Sequence, residues 1–227
     1  GVKYTVSKES SEEQTIGISL DTDGIYDAVT AFVEDYNALI DVINDKISED
    51  YDSDYLPLTT AQKEEMSDDE IELWEQVAKT GLLENDSTLQ SLLYNMRSAL
   101  YESVEGVSLH LSSIGITTSS YYEDAGKLDI DADTLKDAIY NNTEQVAKLF
   151  GKQSDSYPGS TGVRTLTSSE RAVRNGEEGL AYRLYDIIQD NISIYRDNDG
   201  NKGALLRKAG MEGDSSEYDN TLSEQID

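Results

Sequence analysis

The feature that most constrains the fold is a long run of regularly spaced apolar residues that begins soon after Thr22. Steps of four and three residues alternate along this run. Such spacing places apolar side chains on one side of an α-helix, so it predicts a long helix with a broad apolar seam. The seam consists of Ile25, Val29, Phe32, Tyr36, Leu39 and Ile43, flanked by Val33, Ile40 and Ile47.

Two further amphipathic helices are predicted after the first. One begins with the capping-box pair Ser67 and Glu70 and stops at Gly81, which can adopt the left-handed conformation common at helix ends. The next one stops at Gly106, and its stripe is Leu89, Leu92, Leu93, Met96, Leu100 and Val104. The seams of the three helices predict burial of Phe32, Leu39, Ile71, Trp74, Leu93 and Leu100.

Short alternating segments predict a smaller amount of β-structure. Residues 2–6 and 16–20 alternate apolar and polar side chains, which is typical of strands. A second region, about 107–130, has apolar residues on both sides of a turn-rich stretch that carries Asp124 and Gly126. We expect an internal β-hairpin there.

The rest of the chain predicts two more helices separated by a loop. The first starts at Asp131 or Asp133, is interrupted near "NNT" at 141–143, and continues to Gly151. Residues from about 151 to 178 lack a sustained apolar period, so we expect a flexible, insertion-like loop. The fold class is therefore mainly α, an amphipathic helix bundle with a short β-hairpin. The last helix carries Leu180, Leu184, Ile187, Ile188 and Ile192.

Charge and composition exclude several kinds of partner. The chain has 46 acidic side chains against 18 basic ones, a net charge of −28, which repels the phosphates of nucleic acids. No apolar run approaches the roughly 18 residues of a membrane-spanning helix, so no membrane insertion is predicted. Cysteine is absent, which excludes disulfides and thiol nucleophiles.

Acidic residues around the single tryptophan resemble a catalytic carboxylate pair, but helix geometry gives them another explanation. Asp68, Asp69 and Glu70 lie in a first helical turn, where the helix dipole favours anions. Glu72 projects away from Trp74, and Glu75 can reach Lys79 one turn later. The acids are therefore predicted to be a solvated surface, and the chain is not predicted to be an enzyme.

No metal, cofactor or catalytic residue is predicted elsewhere. The Asp-rich stretches at 21–24, 129–133 and 197–201 look like calcium loops, but the latter two lack the glycine and the acid that an EF-hand needs at its sixth and twelfth positions. Helix caps and turns explain such stretches equally well. His110, the single histidine, shares its predicted strand face with polar residues and has no second histidine with which to bind zinc.

Five stretches, taken together, resemble the C-terminal half of the bacterial flagellar filament cap protein family, also called hook-associated protein 2. They occur in the family's order and cover most of the chain from Ile25 to about Gly210. They are "FVEDYNALIDVIND" at 32–45, "YLPLTTAQKEEMSDDEIELWEQVAKTGLLENDSTLQSLLYNMRSAL" at 55–100, "LSSIGITTSSYYEDAGKLDIDADTLKDAI" at 111–139, "EQVAKLF" at 144–150 and "GLAYRLYDII" at 179–188.

The resemblance implies a domain organisation. Residues 1–21 would be the last strands of a β-rich domain inserted in the family protein, and 22–210 would be the helical bundle domain. Residues 211–227 would link the bundle to a C-terminal coiled coil that lies outside this chain.

The resemblance also implies a function. It predicts an extracellular structural protein of the bacterial flagellum that caps the distal filament end and promotes flagellin assembly. The expected partners are flagellin, other hook-associated proteins and, in the full-length protein, further copies of itself. The alternative is an adhesin-like binding module for host mucin or glycans, which exposed tyrosines would also serve.

Overall fold

The computed structural model describes residues 21–213 together with Thr5, Ser7, Lys8, Ser216, Asn220 and Thr221. Within this part the protein is mainly helical, with one small antiparallel sheet of strands β1 (Ile116–Thr118) and β2 (Leu128–Ile130). The helices are α1 (Thr22–Ser48), α2 (Thr60–Glu64), α3 (Asp68–Ala78), α4 (Ser87–Tyr101), α5 (Ala132–Gly151), α6 (Ser168–Glu177), α7 (Leu180–Ile192) and α8 (Ala204–Ala209).

The two predicted strands at 2–6 and 16–20 lie almost entirely outside the described residues, as does most of 211–227. The short helices α2 and α8 were not predicted from the sequence. None of the helices in the described part of the chain is long and apolar enough to cross a membrane.

Side-chain caps fix the helix starts. Asp21 accepts a hydrogen bond from the Gly24 N–H at 2.9 Å and thereby caps α1. Ser67 caps α3 in a reciprocal capping box with its third helical residue, as the sequence predicts. Asp86 caps α4 and Asp131 caps α5 in the same general way, by accepting main-chain N–H groups of the first turn.

The core lies where α1, α4, α5 and α7 pack together. Helix α1 contacts α5 and α4, while α7 contacts α4, α5 and α8. The most deeply buried line of α1 lies toward one edge of the predicted seam and comprises Val29, Val33, Tyr36, Ile40 and Ile43. Opposite it lie Leu92, Met96, Leu100, Leu135, Ile139, Val146, Leu149, Leu180 and Leu184.

The predicted hairpin is present but shorter than expected. Ile116 pairs with Ile130 in an antiparallel register, whereas residues 111–114 form a 3₁₀ turn and not a strand. The Asn37 side chain fixes the hairpin to α1, since it accepts from the Leu128 N–H at 2.8 Å and donates to the Leu128 carbonyl at 2.9 Å. One amide thus satisfies both main-chain groups of a strand residue.

The expectation of a long loop over 151–178 was wrong for residues 163–177. Val163–Thr165 form a 3₁₀ turn, and α6 follows with Thr167 as its cap. Its anchoring groups are arginines together with the buried apolar side chains of Val163 and Leu166. Arg164, only 8% exposed, donates to the carbonyls of Asp190, Tyr195 and Asn201 near the end of α7.

A second buried arginine joins three segments. Arg183 on α7 is 1% exposed and donates to the carbonyls of Ala99, Glu102 and Ser103 at 3.2, 2.7 and 2.7 Å. It also donates to the Asn175 carbonyl in the last turn of α6 at 2.6 Å. The last carbonyls of a helix have no partner within the helix, so the guanidinium satisfies groups that would otherwise be buried unpaired.

Of the six side chains predicted to be buried, Leu100 is buried as expected, and the other five are less deeply buried than expected. Leu100 is fully buried, whereas Phe32, Leu39 and Leu93 are half-buried at the edge of the core. Ile71 and Trp74 are also half-buried, because α3 lies apart from the main cluster of apolar residues. A half-exposed indole loses less transfer free energy on truncation than a fully packed one.

Trp74 belongs to a small satellite cluster outside the core. Its ring centroid lies 4.7 Å from that of Tyr55, and its Nε1–H donates to the Leu56 carbonyl at 2.8 Å. Gly81, with φ +75°, brings the end of this region against the backbone of Tyr51, where an added Cβ would come within 2.4 Å of the Tyr51 Cα. Only glycine fits that position without displacing the chain.

The core and surface positions of two leucines give a direct test of this packing. Leu135→Ala should lower the free energy of unfolding by about 2–5 kcal/mol, because the side chain is fully buried between helices. Leu73→Ala, at a 65% exposed site on α3, should change it by less than about 0.5 kcal/mol. Urea unfolding of both variants measures the difference, and equal losses would mean that the core is placed wrongly.

Candidate functional site

The acids near Trp74 make helix-capping contacts and surface ion pairs. Glu70 closes the capping box of Ser67, and hydrogen bonds from Ser67 hold its pKa below the usual range. Glu75 pairs with Lys63 and, at 3.8 Å, with Lys79, and the hydrogen bond from Lys63 lowers its pKa. General acid catalysis needs a carboxyl with a raised pKa, and these two shifts run in the opposite direction.

The three Asp-rich stretches serve as caps and turns. Asp21 and Asp131 are helix caps, and Asp197 accepts from the main-chain N–H groups of Asp199 and Asn201 at 3.0 and 2.8 Å. Across the residues that the structure describes, no group of three or more acidic or histidine side chains is placed to hold a metal ion. His110 is exposed and precedes the 3₁₀ turn, where its main-chain N–H donates to the Ser113 Oγ at 2.9 Å.

An apolar groove runs between α1 and α7, with α4 at its floor. It has a volume of about 260 Å³. Phe32 and Leu39 form one wall, Met96 forms the floor, and Leu184 and Ile188 form the other wall. We call this surface the α1–α7 groove, and the other residues that line it are Asp35, Tyr36, Ala181 and Tyr185.

The groove explains the breadth of the apolar seam of α1. One part of the seam faces the core, while Phe32 and Leu39 face the groove and stay half-exposed. The Phe32 ring meets Phe150 edge to face at 5.3 Å, which fixes its orientation. The apolar seam of α1 is wider than contact with the core requires, and this excess width is the feature of the sequence that indicates the groove. The sequence alone does not show which residues of α7 lie opposite.

The chemistry of the groove suits another protein surface. Its lining is almost entirely aliphatic and aromatic, with Asp35 as its acidic residue. Burial raises the pKa of Tyr36 to about 12, so its hydroxyl stays neutral. Apolar grooves between helices commonly bind apolar side chains of a partner.

Exposed tyrosines add further contact area around the molecule. Tyrosine is enriched in protein interfaces because its ring packs while its hydroxyl remains hydrated. The more exposed examples are Tyr94, Tyr101, Tyr121, Tyr122, Tyr140, Tyr185 and Tyr195.

Comparison with known proteins identifies a family. The sequence model of the family described as "Flagellar hook-associated protein 2 C-terminus" matches residues 1–226. The flagellar hook-associated protein 2 of Halalkalibacterium halodurans is 35% identical over 195 residues, which cover 85% of this chain and 37% of that protein. The protein of the same name from Thermotoga maritima is 27% identical over 231 residues, and this alignment covers 100% of this chain and 31% of the Thermotoga protein.

A solved structure is also similar. It is the crystal structure of the flagellar cap protein FliD D1-D2-D3 domains from Escherichia coli, with a TM-score of 0.46 and 22% sequence identity over 75% of this chain and 33% of that chain. This chain therefore spans about a third of the length of the relatives that it matches.

Two glutamates on α3 test whether the acids are only a surface. Glu72→Gln should leave urea unfolding unchanged, because the side chain is exposed. Glu75→Gln removes two surface ion pairs, so any loss of stability at low salt should vanish at about 1 M salt, where such pairs are screened. A large, salt-independent loss for either variant would show that the acid has a role other than surface charge.

Proposed function

Because the chain belongs to the flagellar hook-associated protein 2 family, we propose that it is a structural part of the bacterial flagellum. Its role is to cap the distal end of the filament and to promote the assembly of flagellin subunits. The observation that carries this proposal is the match of the family's C-terminal region to residues 1–226. The proposed location is extracellular, at the filament tip.

The described surfaces support a role in protein assembly. The α1–α7 groove is apolar and lined in part by the exposed Tyr185, and further tyrosines are exposed elsewhere on the molecule, which together favour contact with other proteins. The net charge of −28 disfavours nucleic acid. We propose flagellin, other hook-associated proteins and, in the full-length protein, further copies of the same protein as partners. Neither the described residues nor the relatives favour the adhesin-like alternative.

A substitution in the groove tests this function. The full-length protein that carries this region is expressed in a bacterium lacking its own copy, and swarming and flagellin leakage into the medium are measured. Leu39→Ser should reduce swarming and increase leakage, because it places a hydroxyl in an apolar contact surface. Unfolding of the 227-residue chain shows separately whether the variant still folds.

The matched control lies on the same helix. Val42 is 61% exposed and does not line the groove, so Val42→Ser should leave swarming and leakage unchanged. Full swarming with a folded Leu39→Ser variant would remove the groove from the proposal. Failure of the unaltered protein to restore any swarming would contradict the proposed function itself.

A further inference from the structure

Two carboxylates and one guanidinium are enclosed together between α6 and α7. Arg174 is 2% exposed, Glu178 is 0% exposed and the Asp186 side chain is 13% exposed. The Arg174 Nε lies 3.0 Å from Glu178 Oε1 and 2.6 Å from Asp186 Oδ2. Arg174 Nη2 also donates to Asp186 Oδ1 at 2.8 Å. Nη2 is therefore hydrogen-bonded to Asp186, whereas the contacts of Nε with Asp186 and Glu178 lack hydrogen-bond geometry.

The cluster lacks one positive charge when both acids are ionised. Neither oxygen of Glu178 has a hydrogen-bond donor in good geometry among the described groups. A proton on Glu178 removes the excess charge and supplies a donor beside Asp186, whose Oδ2 contacts the same Arg174 Nε as Glu178 Oε1 does. Two close carboxylates in an apolar site commonly share one proton for this reason.

The other charged groups near the cluster do not supply the missing charge. Arg183 of α7 acts favourably on Glu178, but its own donors are directed to main-chain carbonyls. Arg183 also interacts favourably with Glu102, which follows α4, so its positive charge does not act on Glu178 alone. Asp190, one turn beyond Asp186, is paired with Arg171 and Arg164, and its charge still helps to raise the pKa of Asp186. Burial, with Asp186 beside it, accordingly raises the pKa of Glu178 to about 7.

The same arginine holds a loop. Arg174 Nη1 donates to the Thr161 carbonyl at 2.7 Å and approaches the Pro158 carbonyl at 3.5 Å. These residues belong to the segment 152–162, which we call the strap, and which lies over α6 and α7. The two acids set the position of the Arg174 guanidinium. Because the same guanidinium binds the Thr161 carbonyl, its position also affects the strap.

A second contact of the strap does not depend on this proton. Glu177 accepts from the Ser154 hydroxyl at 2.5 Å and from the Ser156 N–H at 3.0 Å. These hydrogen bonds lower the pKa of Glu177 to about 2, so it stays ionised in neutral and mildly acidic solution. Glu177 is therefore a neighbouring anchor whose charge is constant.

A cavity lies beside Arg174 and Asp186 of the cluster. It has a volume of about 490 Å³ and is lined by Arg174 and Asp186 on one side and by Gly159 of the strap on another. Its outer wall includes Tyr195, which is 75% exposed. Release of the strap would widen this cavity toward solvent.

We propose that Arg174, Glu178 and Asp186 form a proton-dependent latch, which holds the strap on α6 and α7 while Glu178 is protonated and weakens that hold when the proton leaves. Deprotonation leaves an unbalanced charge in a closed site, and opening of the strap relieves it by hydration.

The sign of the pH dependence follows from the raised pKa. The closed state binds the proton of Glu178 more tightly than an open state, in which the carboxyl returns toward its ordinary pKa of 4.5. The stabilisation is fully present below pH 4.5 and is lost as the pH rises through about 7. The strap should thus open more often in neutral and alkaline solution than in mild acid.

Hydrogen exchange of the 227-residue chain measures this opening. The amides of Ser156, Tyr157 and Thr161 are hydrogen-bonded in the closed strap. Corrected for intrinsic exchange, their protection factors should fall by about fifty-fold between about pH 5 and about pH 8, as expected for one linked proton. Amides in the middle of α1 should show no such fall.

Two adjacent glutamates separate the latch from a general loosening. Glu178→Gln cannot lose a proton, so the strap should keep the same protection at both pH values. Glu177→Gln removes the anchor of constant charge, so protection should be lower at every pH while the fifty-fold trend remains. Carboxyl NMR of the unaltered chain gives a third measurement and should show Glu178 titrating near 7.

Three results would overturn the latch. They are constant protection of the strap across the pH range, a Glu178→Gln variant that keeps the trend, and a Glu178 carboxyl that titrates below about 5. If Glu178→Gln does not fold, the carboxyl titration and the strap protection of the unaltered chain still decide the question.

Discussion

The arrangement of the bundle depends on one buried cation, Arg183. Its guanidinium donates to the Ala99 carbonyl in the last turn of α4 and to the two carbonyls that follow this helix. It also donates to the Asn175 carbonyl in the last turn of α6, so α7 can lie against both helices. A cation at helix C-termini is also favoured by the helix dipoles. The α1–α7 groove exists because α7 is held in this position, and the Arg174 cluster lies on the neighbouring face of the same helix. Fixing α7 therefore sets both surfaces.

The helices with a strong apolar period could be predicted from the sequence. How deeply each of them is covered by neighbouring elements was harder to predict. The cap Ser67 and the stop at Gly81 lie where the sequence places them, and of the two cap candidates Asp131 and Asp133 the structure selects Asp131, because these signals are local. The half-burial of Trp74 could not be predicted, since periodicity shows which face of α3 is apolar and not how deeply another element covers it. The same limit applies to Phe32, which was expected in the core and lies in the groove.

The segment 151–178 was mispredicted because polar contacts, together with the buried Val163 and Leu166, anchor it without a sustained apolar period. Arg164 and Arg174 hold it by donating to carbonyls and carboxylates, and such contacts leave no apolar period in the sequence. Two signals were nonetheless available. Thr167 and Glu170 have capping-box spacing, which the structure shows at the start of α6. Arginines are also concentrated between 164 and 183 in a chain with few basic residues, and such clustering in an acidic protein indicates buried or paired cations.

The role assigned to Arg183 is tested most directly by Arg183→Lys. Lysine keeps the charge but cannot reach four carbonyls from a planar fork, so the free energy of unfolding should fall by about 2–4 kcal/mol. Hydrogen exchange at the ends of α4 and α6 should accelerate more than exchange in the middle of α5. A loss of less than about 0.5 kcal/mol, with unchanged exchange at both helix ends, would contradict the claim that this arginine fixes α7.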